Sequence, residues 1–323
     1  MGPRKQGKLG VAVVQRVHDP DPQANLQSAL GAIAEAARAG AELIAFPETW
    51  LPGYPAWLDV CPSMSLWDHG PTKAVYRRFH EHSITVPGPE TERIARAASD
   101  GDTTVVMGAV ERVDGGAGHG TLYNVLLTFG ADGTLVNHHR KLMPTFTERL
   151  VWGLGDARGV RTVTAGHTRI GGLICWEHWM PLARQALHEA AEQIHVAAWP
   201  QVKEMNLIAS RHYAFEGRCF VLCAGGLMRA DSLPPELTPD PSLVAGPDSW
   251  VLRGGSCIIG PDGSFIVEPV YERADILFAE LDLGRIAEEA MALDVTGHYS
   301  RPDCFRLLRM PTDSDERGAT SDE

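Results

Sequence analysis

Glu48, Lys141 and Cys175 each stand at the end of a separate apolar run, and together they supply a carboxylate, an ammonium and a thiol. That set suits nucleophilic attack on a carbon–nitrogen bond: the thiol attacks, the carboxylate moves the protons and the cation stabilises the charge that develops. Each residue also has a plain structural reading. Glu48 fits an acid on an exposed loop, Lys141 a solvated cation, and Cys175 a small buried side chain, the commoner fate of an unpaired cysteine. Position favours the chemical reading, because strand ends along one edge of an α/β sheet open onto one cleft.

The elements that must carry these groups are legible from apolar periodicity and from glycine and proline. The run 169–174, bounded by glycines, reads as a buried strand. It leads to an elbow at Cys175, and a helix begins at Pro181. A thiol at that elbow is expected to point toward the positive end of the following helix, which favours the thiolate. Glu48 follows a strand at 41–46 and opens a proline-rich loop at 47–55. Lys141 ends a return strand at 135–141 after a hairpin turn at Ala131-Asp132-Gly133. Strands are also predicted at 8–15, 103–111, 122–129, 193–199, 219–224 and 276–281. Helices are predicted at 25–39, 72–82, 91–98 and 206–216, with a second hairpin across 257–267. Residues 234–247, rich in proline, read as an exposed loop. Alternating strands and helices interrupted by two hairpins predict a layered α/β sandwich with mixed sheets.

The 323 residues, 44% of them hydrophobic, suffice for one large domain, expected over 8–303, with an extension at 304–323 whose acidic, serine-rich end is expected to be disordered. No segment approaches the roughly 20 continuous apolar residues of a membrane span, and no secretory signal is read, so a cytoplasmic location is expected. A net charge of −12 argues against nucleic acid and anionic membrane as partners. The six cysteines form no CxxC pair and the 13 histidines no zinc spacing. His138 and His139, adjacent on a strand, face opposite ways. No metal, cofactor or disulfide is expected.

Five motifs, in order, carry a family resemblance: Phe46-Pro47-Glu48-Thr49, residues 140–149 around Lys141, Gly172-Leu173-Ile174-Cys175-Trp176-Glu177, residues 211–217, and residues 297–303. From Leu9 to Asp303 the sequence resembles the nitrilase family of carbon–nitrogen hydrolases, and within it the nitrilases proper. The resemblance implies a four-layer α-β-β-α sandwich and a Glu-Lys-Cys triad. It makes Cys175 the nucleophile, Glu48 the general base and Lys141 the stabilising cation, with Glu148 a second glutamate that positions Lys141 or the substrate. Glu148 also reads as the ion-pair partner of Arg149.

By position against the family, Tyr54, Trp152, Trp176 and Trp199 are the expected pocket walls. The same resemblance implies a small-molecule nitrile substrate and self-association into dimers or larger spirals, with Trp179-Met180-Pro181-Leu182 and Ala186-Leu187 as apolar interface. An amidase or N-carbamoyl-amine hydrolase would use the same triad. The sequence departs from longer relatives in the short segment 201–210 and in the short tail after Asp303, which bear on pocket size and assembly.

Overall fold

The computed structural model describes residues 7–308; the end of the tail, expected to be disordered, lies outside them. The first half of the chain runs β1 (Lys8–Gln15), α1 (Pro22–Arg38), β2 (Leu43–Ala45), α2 (Trp57–Val60), α3 (Gly70–His82), α4 (Pro89–Asp100), β3 (Thr104–Arg112), β4 (Leu122–Phe129) and β5 (Leu135–Arg140). The second half runs β6 (Val163–Ala165), β7 (Thr168–Ile174), α5 (Pro181–Glu189), β8 (Ile194–Trp199), α6 (Glu204–Gly217) and β9 (Phe220–Gly225). It ends in β10 (Leu227–Arg229), β11 (Trp250–Ile259), β12 (Phe265–Tyr271), β13 (Asp275–Asp282) and α7 (Gly284–Ala290).

The strand pleat sorts these elements into four layers. In β1, Val11 and Val13 enter one core while Ala12 and Val14 enter another, so the strand is buried on both faces. Ala45, Val106 and Leu126 join the Val11 side, and Ile44, Met107 and Leu127 the Ala12 side. The Ala12 side is covered by α1 and α4 through Leu26, Ile33, Ile94 and Ala98. On the Val11 side the sheet meets a second one, formed by β6 to β12, whose far face is closed by Ala183 and Leu187 of α5 and by Ala209 and Tyr213 of α6. The order α-β-β-α is the expected sandwich.

One sheet has the order β13-β1-β2-β3-β4-β5 and the other β10-β11-β9-β8-β7-β6, with β12 beside β11. The pairs β1–β2–β3 and β7–β8–β9 are parallel, and the hairpin pairs are antiparallel, so both sheets are mixed. Helix α1 starts three residues before its periodic pattern, because the Asp21 side chain accepts from Gln23 N–H and Pro22 is preorganised for the first turn.

Two expectations fail for one physical reason: composition does not report which way a side chain turns. Residues 234–247 are not simply exposed, since Leu237 and Val244 are buried with Tyr54, Trp57 and Met228 in a third core at the end of the sandwich. Ala186 and Leu187 face inward. The outward apolar surface is instead made by Met180 and Leu182, joined by Met205, Ile208 and Phe215 of α6.

Candidate active site

Glu48 follows β2, Lys141 directly follows β5 and Cys175 directly follows β7, so three strand ends from two sheets bring the groups to one place. Gly108 on β3 permits the approach of the Glu48 loop, because a Cβ there would lie 2.7 Å from Glu48 Cα. Glu48 N–H donates to the Trp199 carbonyl of the opposite sheet at 3.3 Å, which ties the loop across the sandwich.

Lys141 Nζ donates to Glu48 Oε1 at 2.9 Å and to Glu148 Oε2 at 2.7 Å, with all three residues buried. Carboxylate oxygens of both glutamates and the Cys175 sulfur lie within 4.8 Å of one another. The cation between the two carboxylates is thus the chain's own ammonium. Asn124 Nδ2 adds a 2.6 Å bond to Glu48 Oε1, while Lys141 N–H donates to the Asn124 carbonyl at 2.8 Å. With Oε1 so engaged, Glu48 Oε2 is buried and meets no hydrogen-bond partner among the described residues. Glu148 Oε2 also accepts from Thr145 N–H at 2.7 Å, and its Oε1 faces the Tyr54 hydroxyl at 3.2 Å. Arg149 donates to the Pro144 carbonyl at 3.2 Å, so Glu148 pairs with Lys141 instead of its neighbour.

The electrostatics follow from burial. Desolvation lifts the Glu48 carboxyl to about 7, against the pull of Lys141 and with the push of Glu148. Burial first, and then Glu48, holds the Cys175 thiol well above its ordinary range; Lys141 and a hydrogen bond from Trp176 N–H work the other way. Burial alone would lower Lys141, but the Glu48 and Glu148 carboxylates outweigh it and keep the ammonium charged. The expected thiolate stabilisation by the following helix is not what the fold provides. Residues Cys175–Trp179 form one 3₁₀ turn, and α5 starts only at Pro181. The resting site holds a protonated thiol beside a carboxylate that titrates near neutrality.

Residues 10–290 match the family described as carbon-nitrogen hydrolase. The chain belongs to that family. Similar proteins include Nitrilase 2 of an unknown prokaryotic organism, 39% identical over 308 residues that cover 95% of this chain and 93% of that one. An aliphatic nitrilase of Sinorhizobium fredii (strain HH103) is 36% identical, covering 93% and 95%. A bifunctional nitrilase/nitrile hydratase of Lupinus angustifolius is 39% identical, covering 89% and 82%. These relatives set the chain in the nitrilase branch. The fold matches a carbon-nitrogen hydrolase of Helicobacter pylori G27 with a TM-score of 0.69 at 16% identity, over 92% of this chain and 96% of that one. It matches Nit3 of Saccharomyces cerevisiae equally, with a TM-score of 0.69 at 20% identity, over 91% and 97%.

In this carbon–nitrogen hydrolase the Cys175 sulfur opens onto a cavity of about 950 Å³, walled by Tyr54, Met143, Trp176, Trp179, Met180 and Met205 among others. Of the four expected wall residues, Tyr54 and Trp176 line it. Trp152 sits one layer back, edge-on to Tyr54 and with its ring 5.8 Å from Lys141 Nζ, where it covers the ammonium. Trp199 is no wall: it is fully buried, stacked on His178 and donating to Ser210 Oγ at 3.2 Å. The apolar strand pattern before it gave the position but not the face.

Sequence reasoning missed Asn124 and the bridging role of Glu177. Buried Glu177 accepts from Leu142 N–H and Ile174 N–H, both at 2.7 Å, and from His139 Nε2 at 2.9 Å. It thereby joins the chain just after Lys141 to the strand that carries Cys175. Its place in the motif ending at Glu177 was the available signal, but two of its three partners, Leu142 and His139, are 35 and 38 residues away in sequence.

Proposed function

We propose that this hydrolase cleaves an organic nitrile to its carboxylic acid and ammonia, with Cys175 as nucleophile, Glu48 as general base, Lys141 as the charge-stabilising donor and Glu148 as the residue that positions Lys141. The observation that carries this reading is Lys141 Nζ held between two buried carboxylates, with the sulfur within 4.8 Å of both. A nitrile carbon is a poor electrophile, so attack needs a thiolate made on demand. Glu48 Oε2 takes the thiol proton, the sulfur bonds to the nitrile carbon, and the nitrogen receives that proton to give a thioimidate. Glu48 then deprotonates a water that adds to the same carbon. The protonated nitrogen leaves as ammonia, and a second water cleaves the resulting thioester, releasing acid and thiol. Lys141 Nζ and Trp176 N–H are the donors for the charge in each tetrahedral species. A pKa near 7 suits Glu48 to pass protons in both directions at neutral pH.

Tyr54 and Trp176 shape the substrate end of the cavity, and a second copy of the chain covers the apolar face beside it. Six unpaired cysteines, five of them buried, fit a reducing compartment, which supports the cytoplasm. The decisive measurement is ammonia release from phenylpropionitrile and phenylpropionamide side by side. The nitrile is expected to show the higher kcat/KM, since a linear nitrile leaves no amide N–H or carbonyl unpaired beside Trp176. An unpaired buried polar group costs about 1–3 kcal/mol, which in the transition state is roughly five- to 150-fold in rate. A faster amide, or equal rates, would replace this reading with an amidase.

A further inference from the structure

Behind the Cys175 elbow, on the side away from the cavity, four buried polar side chains form a continuous line that the mechanism above does not use. His178 Nδ1 lies 2.6 Å from the Cys175 carbonyl oxygen, and His178 Nε2 lies 2.9 Å from His195 Nε2. His195 Nδ1 is 2.9 Å from Glu192 Oε1, and Glu192 Oε2 is 2.5 Å from the Tyr213 hydroxyl. They come from the elbow, β8, the turn before β8, and α6. The rings are clamped: His178 stacks on Trp199 with centroids 4.6 Å apart, and His195 on Tyr213 at 3.7 Å. Gly171 makes room for the carboxyl, since a Cβ there would overlap Glu192 Oε1.

The protons on this line have one consistent arrangement. A carbonyl only accepts, so His178 Nδ1 carries a proton and donates it to Cys175. Burial pushes His178 down to about 3 and His195 well below its usual range, so both rings are neutral. His178 Nε2 is therefore bare and accepts from His195 Nε2–H, which leaves His195 Nδ1 bare. Glu192 must then be a protonated acid donating to that nitrogen, in keeping with burial lifting it to about 8. Its other oxygen accepts from Tyr213 O–H. Every bond points toward the elbow.

We propose that the line Tyr213–Glu192–His195–His178 is a positioning device for the nucleophile, fixing the Cys175–Trp176 peptide and strengthening its N–H as a donor to the Cys175 sulfur. The carbonyl that receives the His178 bond and the N–H that meets the sulfur belong to the same peptide group. Polarising one end of a hydrogen-bonded chain strengthens the next bond in it. The peptide also needs holding, because Cys175 has φ +53°, a left-handed conformation unfavourable to a residue with a Cβ. The other titratable groups around the line are His188 and Arg184 of α5, Glu216 of α6, Cys219 and Glu177; those facing the sulfur are Glu48, Lys141, Glu148 and Tyr54.

This inference rests on Cys175 being the nucleophile, and its test separates the two. Asparagine places an amide N–H where His178 Nδ1 was, whereas glutamine places its amide near Nε2 and leaves the Cys175 carbonyl unmet. His178→Gln is expected to lower kcat by roughly a hundredfold, to leave KM within about twofold, and to move the pH midpoint of Cys175 alkylation by iodoacetamide upward. His178→Asn, which keeps a bond to the Cys175 carbonyl but cuts the line at His195, is expected to fall between wild type and His178→Gln in kcat and in alkylation midpoint. Glu192→Gln, which can still donate to His195 and accept from Tyr213, is expected to keep activity. In the wild-type protein, nitrogen-15 NMR should find the proton on Nδ1 of His178 and on Nε2 of His195, a readout that needs no variant to fold. Equal losses in the Asn and Gln variants, an unmoved alkylation midpoint in a folded His178→Gln protein, or an imidazolium at His195 would overturn the proposal. If alkylating Cys175 in wild type left turnover intact, the nucleophile assignment itself would fail, whatever the His178 variants did.

Discussion

At the residue scale, the site combines a thiol that burial keeps protonated with a carboxylate that burial brings to neutrality. Removing the sulfur should therefore remove the reaction and little else. Cys175→Ala is expected to fold with an unchanged circular dichroism spectrum and to show no turnover; an active variant would remove the nucleophile from the scheme. Lys141→Ala and Glu48→Gln are each expected to lose at least about a hundredfold in kcat, because these groups act as one unit and not additively. Glu48 must be ionised to accept the thiol proton, so wild-type kcat/KM should fall as pH drops through about 7. An acid limb well below that value would assign the base elsewhere. Glu192 offers a second test, on stability. Its folded pKa, about 8, lies above the ordinary 4.5, so its contribution is fully present below about 4.5 and is lost as pH rises through about 8. Melting curves at several pH values should show Glu192→Gln gaining on wild type from about pH 4.5 to about 8 and holding a constant difference above that. A difference constant across that range would mean that Glu192 is ionised in the folded protein.

At the element scale, the site depends on how closely a loop can lie on a strand. Glu48 is held by a loop that rests on the backbone of β3 at Gly108, and Asn124 on β4 joins Lys141 to Glu48 through both its backbone and its side chain. A methyl group at Gly108 has no free space, so Gly108→Ala is expected to cost about 1–3 kcal/mol of stability and to lower kcat more than it raises KM. Chemical denaturation and steady-state kinetics on the same preparation would check both; unchanged kinetics would show that the loop tolerates displacement. The same scale separates what the sequence conveyed from what it did not. β1 and β4 have the bounds their apolar runs predict, and the three site residues were legible because each follows such a run. The face of Trp199, the inward turn of Leu187 and the anchoring of residues 234–247 were not, because each is decided by an element distant in the chain. Asn124 and the bridging role of Glu177 escaped for the same reason: an amide or acid does not show its role until its partner is brought beside it.

At the scale of the whole molecule, the outward faces of α5 and α6 carry several large apolar side chains. Leu182, Met205, Ile208 and Phe215 are all exposed, and α5 is joined to α6 by Arg184 Nε donating to Glu216 at 2.8 Å, so the two helices present one surface. Large apolar side chains exposed on two adjoining helices are a common partner site, and a second copy of the chain can cover them symmetrically. The face also reaches the site, since Met180 and Met205 belong both to it and to the cavity wall above Cys175. Association through this face is expected to support catalysis by fixing one wall of the cavity. Light scattering at micromolar concentration is expected to report a dimer or a larger assembly. The pair Leu182→Glu and Ile208→Glu, placing charge on that face without touching the Glu48–Lys141–Cys175 cluster, is expected to shift it to monomer. The monomer should show a raised KM, with Cys175 still open to alkylation. A wild-type monomer, or a charged variant that dissociates with unchanged kinetics, would separate the apolar face from the working of the site.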